Sequence, residues 1–299
     1  LSGASAGNYQ IGSTAITATA NITPAPLTVT AVNKSSFYSQ ALASLTIAPA
    51  VGLLGSDTVT GATLATTADT TGVNASAGTY PISVSLATGS GIGNYAITYV
   101  PATYTIVSPG QLQITTSGVT TVYGTGTSGN IITPAQPVAS YSTGGSNISA
   151  LTFVSAATNG NVISYVYRDA TNALVSFNLA PTGTVSSTSG NIKVGNYAYA
   201  VSGLVSASSG LTSSSAIANG SLTVIPLDIT FTAPITGPLT YNGQVQTQGA
   251  AAASPAILTN DLVAISGLAS GKNVGVYGSN LAVSGADVSN YNITLVNNN

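Results

Sequence analysis

Apolar and polar residues alternate along short stretches of this chain. Residues 79–86 read TYPISVSL, and four of their side chains share one apolar face of an extended strand. These four are Tyr80, Ile82, Val84 and Leu86. Residues 93–100 read GNYAITYV and alternate in the same way after an Asn-Tyr pair. Because a period of two is typical of strands that bury one face, each stretch predicts a half-buried β-strand.

Helical periodicity is missing from the sequence. No window keeps apolar residues three and four positions apart, and 33 Gly and 13 Pro residues interrupt the chain too often for long helices. Proline-containing stretches precede new alternating strands near Leu27, Leu112 and Leu227. The sequence therefore predicts an all-β protein made of tandem immunoglobulin-like β-sandwich domains in an elongated array.

These prolines divide the chain into four segments. Residues 1–26 are predicted to be the last strands of a preceding domain. Unit 1 is predicted at residues 27–107, unit 2 at 108–225 with a longer middle, and unit 3 at 226–299. Each unit is long enough to hold several strands and a core of its own.

An Asn-Tyr pair recurs four times, at spacings of 86, 102 and 94 residues. The copies are Asn8-Tyr9, Asn94-Tyr95, Asn196-Tyr197 and Asn290-Tyr291. Each unit carries its pair just before its last strands, so the recurrence indicates a domain repeat. We expect a structural role, in which the ring is buried between sheets and the hydroxyl bonds to backbone at a corner.

The two ends of the chain resemble each other. LSGASAGNYQI at residues 1–11 parallels VSGADVSNYNI at residues 283–293. Unit 3 also lacks a counterpart of the closing strand SLTVI that ends unit 2. Two expectations follow: the segment comes from a longer array, or its ends complement one another between molecules.

Charge is scarce. Only 3% of residues are charged, the net charge is −2, and the cations are Lys34, Arg168, Lys193 and Lys272. A chain without a basic face is a poor partner for nucleic acid or an anionic membrane. No apolar run approaches the roughly 18 residues of a membrane helix, so membrane insertion is not expected.

Catalytic chemistry has little support. The chain has no His, Cys or Glu for acid-base or nucleophilic work, so we expect no enzyme and no cofactor. Ser270 and Lys272 are only two residues apart and have no other support. The six Asp residues are dispersed, whereas a calcium site gathers several oxygen ligands, so no metal is expected. One Lys in each unit leaves open a Lys-Asn crosslink.

The motifs and their order resemble the MBG and YDG repeat domains of large secreted bacterial proteins, many of them filamentous-haemagglutinin-like adhesins. In unit 1, Gly78-Thr79-Tyr80-Pro81-Ile82, NYAITYV and Tyr104-Thr105-Ile106 follow the MBG pattern, whereas Tyr38-Ser39 stands where Tyr-Gly is expected. Unit 2 keeps Tyr123-Gly124, Asn196-Tyr197 and NGSLTV. Unit 3 is similar to a YDG domain, with Tyr241-Asn242-Gly243 in place of Tyr-Asp-Gly, and residues 1–26 resemble the tail of another such unit.

This resemblance implies an extracellular, tandemly repeated stalk or fibre at the bacterial surface, which supports adhesion or matrix formation and has no active site. Its partners would be neighbouring domains of the same chain or identical subunits. A second hypothesis is a self-assembling filament completed by strand exchange between neighbours. A third is a module that binds cell-surface or matrix glycans, but the chain has no Trp and most Tyr residues lie in strand alternation.

Overall fold

The computed structural model describes residues 22–68, 76–125, 136–144, 147–160, 162–235 and 237–298. Within these ranges the chain forms strands and no α-helix, with two short 3₁₀ turns at Ile92–Asn94 and Val288–Asn290. The predicted all-β class is confirmed. The domain boundaries and the elongated arrangement stay predictions, and Asn8 and Tyr9 lie outside the described residues.

Unit 1 contains two sheets. Its strands are β1 (Ala25–Thr30), β2 (Lys34–Phe37), β3 (Thr58–Thr66), β4 (Gly78–Ser90), β5 (Tyr95–Val100) and β6 (Ala102–Val107). Strand β1 pairs with β5, and the other sheet has the order β2-β6-β4-β3. Leu27, Val29, Ile82 and Tyr104 from the two sheets share one buried cluster. Two sheets around a common apolar layer form a sandwich-like unit.

Unit 2 contains a four-stranded sheet of order β10-β9-β7-β15 and a six-stranded sheet of order β11-β12-β13-β14-β16-β8. Its strands are β7 (Leu112–Thr115), β8 (Val119–Val122), β9 (Val138–Gly144), β10 (Asn147–Ala150), β11 (Thr152–Asn159), β12 (Val162–Arg168), β13 (Leu174–Pro181), β14 (Gly195–Ser206), β15 (Ala216–Asn219) and β16 (Ser221–Ile225). The extra central strands account for the longer middle of this unit.

Unit 3 has shorter strands in three small sheets, of order β19-β17-β23, β18-β21 and β20-β22. These strands are β17 (Leu227–Thr232), β18 (Gln246–Thr247), β19 (Ala252–Ser254), β20 (Ala264–Ser266), β21 (Ser270–Gly271), β22 (Ala282–Ser284) and β23 (Tyr291–Val296). Apart from Ala25 and Pro26 at the start of β1, each described sheet draws its strands from a single predicted unit.

Units 1 and 3 are closed by the same strand pairing. The first strand of each unit runs parallel to the strand that begins at its Asn-Tyr tyrosine, with Ala25 opposite Tyr95 and Leu227 opposite Tyr291. In unit 2, β14 carries the Asn-Tyr pair and runs antiparallel to β16. The Asn-Tyr pair therefore lies at a long-range closure in units 1 and 3 and in a different setting in unit 2.

Two buried clusters hold the described chain together. The first belongs to unit 1. The second is continuous from Leu112 in unit 2 to Tyr291 in unit 3 and includes Tyr123, Phe177 and Phe231. Because units 2 and 3 share buried apolar side chains, they are joined by the same effect that stabilises each of them.

The apolar face of β4 ends earlier than the alternation predicts. Ile82 is fully buried, but Leu86 is 71% exposed. Leu86 has a φ of 47°, and the register between β3 and β4 shifts between Gly61 and Thr63. This bulge turns Leu86 away from the core, so its predicted placement was wrong, because strict alternation assumes an unbroken ladder.

Candidate functional site at the joint between units 2 and 3

Tyr95 and Tyr291 occupy matching positions. Each follows a 3₁₀ turn and begins a strand, and their rings are 8% and 6% exposed. Burial of the ring leaves the hydroxyl in need of a hydrogen-bond partner. In both units a carboxylate and a backbone N–H from the same short turn supply the partners.

That turn has the sequence Leu-x-x-Asp-x-Val. In unit 1 the Leu54 N–H donates to the Tyr95 hydroxyl at 2.9 Å, and the hydroxyl donates to Asp57 Oδ2 at 2.8 Å. In unit 3 the Leu258 N–H donates to the Tyr291 hydroxyl at 3.1 Å, and the hydroxyl donates to Asp261 Oδ2 at 2.6 Å. We call this arrangement the tyrosine corner of each unit.

The Asp partners were missed by the sequence reasoning, which expected the hydroxyls to bond to backbone. The signal was present: LGSDTV at 54–59 and LTNDLV at 258–263 share the Leu-x-x-Asp-x-Val pattern. In each turn the Asp N–H also donates to the Leu carbonyl, at 3.2 Å for Asp57 and 3.0 Å for Asp261. Asx residues that close such turns are common because their short side chains reach nearby groups.

Tyr197 of unit 2 is set differently. Its ring is 8% exposed, and its hydroxyl donates to the Lys193 carbonyl at 2.8 Å. The described residues of unit 2 place no carboxylate on this hydroxyl. Its neighbour Asn196 instead donates from Nδ2 to Thr30 Oγ1 of unit 1 at 3.1 Å. The second Asn-Tyr pair therefore contributes to a contact between units.

Tyr123 and Gly124 of unit 2 dock onto the tyrosine corner of unit 3. The Tyr123 hydroxyl donates to Asp261 Oδ2 at 2.6 Å, and its ring meets that of Tyr291 edge to face at 5.5 Å between centroids. Gly124 has a φ of 74°, and a Cβ there would lie 2.2 Å from Leu258 Cδ1. The left-handed backbone favours glycine here, and a larger residue would also displace the end of the Leu258 side chain. We call these five residues the joint.

A second strip of contacts flanks the joint. Three acceptors of unit 3, Asp261, Asp287 and Asn290, receive backbone N–H groups from residues 188–194 of unit 2. The donors are Ser189 to Asp261 Oδ1 at 3.3 Å, Thr188 to Asp287 Oδ1 at 3.3 Å and Val194 to Asn290 Oδ1 at 3.1 Å. Lys193 Nζ also lies 3.8 Å from Asp287 Oδ1. Unit 2 thus supplies donors and unit 3 supplies acceptors along one edge.

Burial and hydrogen bonding fix the protonation of these groups. Burial raises the pKa of Tyr123 to about 12, and its hydrogen bond to Asp261 acts in the same direction. Burial and the Asp261 hydrogen bond also raise the pKa of Tyr291. Burial alone would raise the pKa of Asp287, but hydrogen bonds from Leu262 and Thr188 and the charge of Lys193 outweigh it, so the net pKa is lowered. Near neutral pH the tyrosines remain donors and Asp287 remains an anion.

The contact between units 1 and 2 includes polar side chains. The buried Ser35 hydroxyl accepts from Gln113 Nε2 at 2.5 Å and from Asn219 Nδ2 at 2.7 Å. The two units keep separate apolar clusters. No single apolar cluster spans this contact, whereas one spans units 2 and 3.

The remaining motif residues are exposed. Tyr38 is 44% exposed, and Ser39 after it has a φ of 66°. Tyr241 is 59% exposed, and Gly243 has a φ of 77°. Both loops share the left-handed step that Gly124 makes in the joint, but within the described residues neither tyrosine meets a tyrosine corner.

Unit 3 also contains a cleft of about 450 Å³. Stretches near 237–241 and at 269–277 line it, with Leu239, Tyr241, Val274, Val276 and Tyr277 all exposed. Ser270 and Lys272 are also among its lining residues, and no Asp accompanies them. The cleft therefore presents apolar and amide side chains and one cation, Lys272. No carboxylate lies beside Ser270 in its lining.

Other chemistry has little support in the described ranges. No group of His, Cys, Asp or Glu residues there could hold a metal ion, and no helix there has the length and apolarity to cross a membrane. The carboxylates of Asp57, Asp261 and Asp287 each accept a hydrogen bond from an N–H or O–H group. A cation site would instead gather further oxygen ligands around such a carboxylate.

The fold and its repeated corner define an all-β repeat module. Residues 27–105 match the family model of the MBG domain, YGX type, so this segment is similar to an MBG-type repeat domain. The match covers about a quarter of the chain and corresponds to unit 1. No curated protein sequence matches the chain.

The ion pair between Lys193 and Asp287, beside the joint, predicts a pH dependence. The lowered pKa of Asp287 means that this group contributes stability above its ordinary value of 3.8, and that the contribution is lost as pH falls toward its folded-state pKa. Asp287→Asn should therefore lower stability at pH 7, and its difference from the wild-type chain should shrink below about pH 4. Urea unfolding monitored by tyrosine fluorescence at several pH values measures this. Asp228→Asn, at an exposed Asp, is the control, and a pH-independent difference for Asp287→Asn would contradict the prediction.

Proposed function

We propose that this chain is a structural stalk or fibre segment of a bacterial extracellular or surface protein, which supports adhesion or matrix formation and has no catalytic activity. The MBG match in unit 1 supports a repeat module of the surface or adhesin type. The observation that carries the proposal is the joint, since it locks two consecutive units with buried groups.

Mechanical load is resisted in two ways. In unit 3, β17 and β23 run parallel over six residue pairs, so a pull on the start of β17 and the end of β23 loads the whole ladder in shear. At the joint, Tyr123, Asp261 and Tyr291 sit at the boundary of an apolar cluster common to units 2 and 3. Separation of the two units would expose that surface and leave buried polar groups unpaired.

Sparse charge suits such an array. With 3% charged residues, neighbouring units meet without long-range repulsion, and hydroxyl and amide groups provide the polar contacts. The Ser35 contact is an example, because it is formed by Gln113 and Asn219 alone.

Single-molecule force spectroscopy tests the mechanical role. Units 2 and 3 are expected to unfold in one event because they share a core. Gly124→Ala places a Cβ 2.2 Å from Leu258 Cδ1, so it should separate this event into two at lower force. Gly183→Ala in unit 2 is the matched control, since Gly183 has a similar φ of 67° and its Cβ would meet nothing within 4 Å. Independent unfolding of units 2 and 3 in the unmodified chain would remove the main support for the proposal.

The proposed location has its own test. An antibody raised against this chain should label intact producing cells as strongly as permeabilised ones, with an antibody to a cytoplasmic protein as the control for cell integrity. Labelling that requires permeabilisation would contradict an extracellular position.

A second candidate function is a filament subunit completed by strand exchange, and the cleft in unit 3 favours it. One backbone hydrogen bond occurs at matching positions in units 1 and 3. The Ala31 N–H donates to the Val100 carbonyl in unit 1, and the Ala233 N–H donates to the Val296 carbonyl in unit 3, both at 2.9 Å. By this correspondence, residues 237–241 follow β17 as β2 follows β1, and the stretch at 270–277 corresponds to the start of β4.

In unit 1, β6 lies between β2 and β4. In the described part of unit 3 the corresponding stretches line the cleft, and no strand lies between them. The exposed Val274 and Val276 would then face an incoming strand, as the first residues of β4 face β6. The cleft thus has the position of a strand site, which favours strand exchange over glycan binding.

A peptide tests the strand site. Residues 14–23, TAITATANIT, alternate as a closing strand does, so this peptide should bind the chain while a scrambled peptide does not. Val276→Asp should weaken binding by about tenfold or more because it places a charge beneath the strand. Val154→Asp, on β11 of unit 2, is the control. Failure of the peptide together with binding of neutral oligosaccharides would contradict strand exchange and favour the glycan hypothesis.

A further inference from the structure

The tyrosine corner of unit 1 repeats the one in unit 3 but is not covered. Asp261 accepts from both Tyr291 and Tyr123, whereas Asp57 accepts a hydroxyl from Tyr95 alone within the described residues. Leu54 is 49% exposed, but its counterpart Leu258 is half-buried and contacts Gly124 across the joint. In unit 3 one side of this corner binds unit 2. In unit 1 the same side is open among the residues that the structure describes.

There is room beside this corner for another chain. A Cβ at Gly55, in the middle of the Leu54 to Asp57 turn, would have no atom within 4 Å. The carboxylate of Asp57 is half-buried and can accept further hydrogen bonds, as Asp261 does. The chemistry of the corner calls for a hydroxyl donor on an aromatic ring, next to a residue with no bulky side chain.

The chain carries two uncovered loops of that kind. Tyr38 and Tyr123 each follow the end of the first strand of their unit by eight residues, and Tyr241 follows β17 by nine. Tyr123 is used within the joint. Tyr241, at 59%, is the more exposed of the other two, and Gly243, two residues later, has open space around its Cβ position.

We propose that the Tyr241-Asn242-Gly243 loop of a second copy of this chain docks onto the corner formed by Leu54, Asp57 and Tyr95. The contact reproduces between molecules the joint that unit 2 makes with unit 3. The Tyr241 hydroxyl donates to Asp57, its ring lies against Tyr95, and Gly243 faces Leu54. The partner is a second copy because unit 3 already has its corner filled by Tyr123, and Tyr197 of unit 2 lacks the carboxylate.

The contact joins two different surfaces of the chain, and this determines which kind of oligomer it can form. Donor and acceptor lie on different units, so the contact is head to tail and leaves one free half at each end of a dimer. Head-to-tail contacts that do not close into a ring extend as filaments. The inference rests on the second proposed function, the filament, and identifies the surfaces through which subunits bind.

Association of point variants tests the contact. Sedimentation velocity over a range of concentrations should show reversible oligomers for the unmodified chain. Tyr241→Ala and Leu54→Lys should each weaken association by at least about tenfold, because each removes one anchor of a small interface. Tyr38→Ala is the matched control at an exposed tyrosine and should leave association unchanged. Both substituted positions are exposed, and thermal unfolding confirms that each variant remains folded.

A crosslinking experiment identifies the orientation. The chain has no Cys, so introduced thiols are the only ones present. A mixture of Leu54→Cys and Asn242→Cys chains should form a disulfide-linked heterodimer under mild oxidation. A mixture of Leu54→Cys and Ser39→Cys chains should not.

Two outcomes overturn the proposal. One is a chain that remains monomeric at all concentrations with no heterodimer. The other is association that depends on Tyr38 and not on Tyr241. Either result would leave the strand site of the filament proposal standing if the peptide of residues 14–23 still binds the chain and Val276→Asp weakens that binding, so the two failures can be told apart.

Discussion

The hydrogen bond from a buried tyrosine hydroxyl to the carboxylate of a Leu-x-x-Asp turn is the interaction on which this structure depends. In unit 3 it ties Tyr291, at the start of β23, to Asp261, which lies between the first and last strands of the unit. The parallel pairing of β17 with β23 then closes the unit over six residue pairs. A chain with no Cys has no disulfide to do this, so the buried hydrogen bond from tyrosine to aspartate takes that position.

One carboxylate serves two purposes because it has several lone pairs. Asp261 Oδ2 accepts both Tyr291 of its own unit and Tyr123 of the preceding one, and Oδ1 accepts the Ser189 N–H. Closure of unit 3 and attachment of unit 2 are therefore coupled: removal of the carboxylate would leave two buried hydroxyls without their acceptor. Such shared buried acceptors have non-additive effects, and the free energies of the two hydrogen bonds cannot be assigned separately.

The sequence predicted the β class and the strand alternation because period-two patterns depend on local geometry. It did not predict the Asp partners, since Asp57 lies 38 residues before Tyr95 and Asp261 lies 30 before Tyr291, with loops of different length between them. It misplaced Leu86 because a bulge interrupts the ladder. Nor could it tell that Tyr241 is exposed while Tyr123 is buried, because that difference depends on which unit contacts each loop and not on the motif itself.

The copies of the Asn-Tyr motif differ in the acceptor of the tyrosine hydroxyl, and this difference accompanies a difference in the contacts between units. Unit 2 has Tyr197 bound to a backbone carbonyl, so it offers no carboxylate to the Tyr38 loop of unit 1. The contact between units 1 and 2 includes hydrogen bonds from Gln113 and Asn219 to Ser35 and from Asn196 to Thr30, and the two units keep separate apolar clusters. This contact therefore lacks the continuous apolar cluster that joins units 2 and 3. Where the corner has a carboxylate, in unit 3, one apolar cluster extends into the preceding unit, and where unit 2 lacks that carboxylate, units 1 and 2 keep separate clusters.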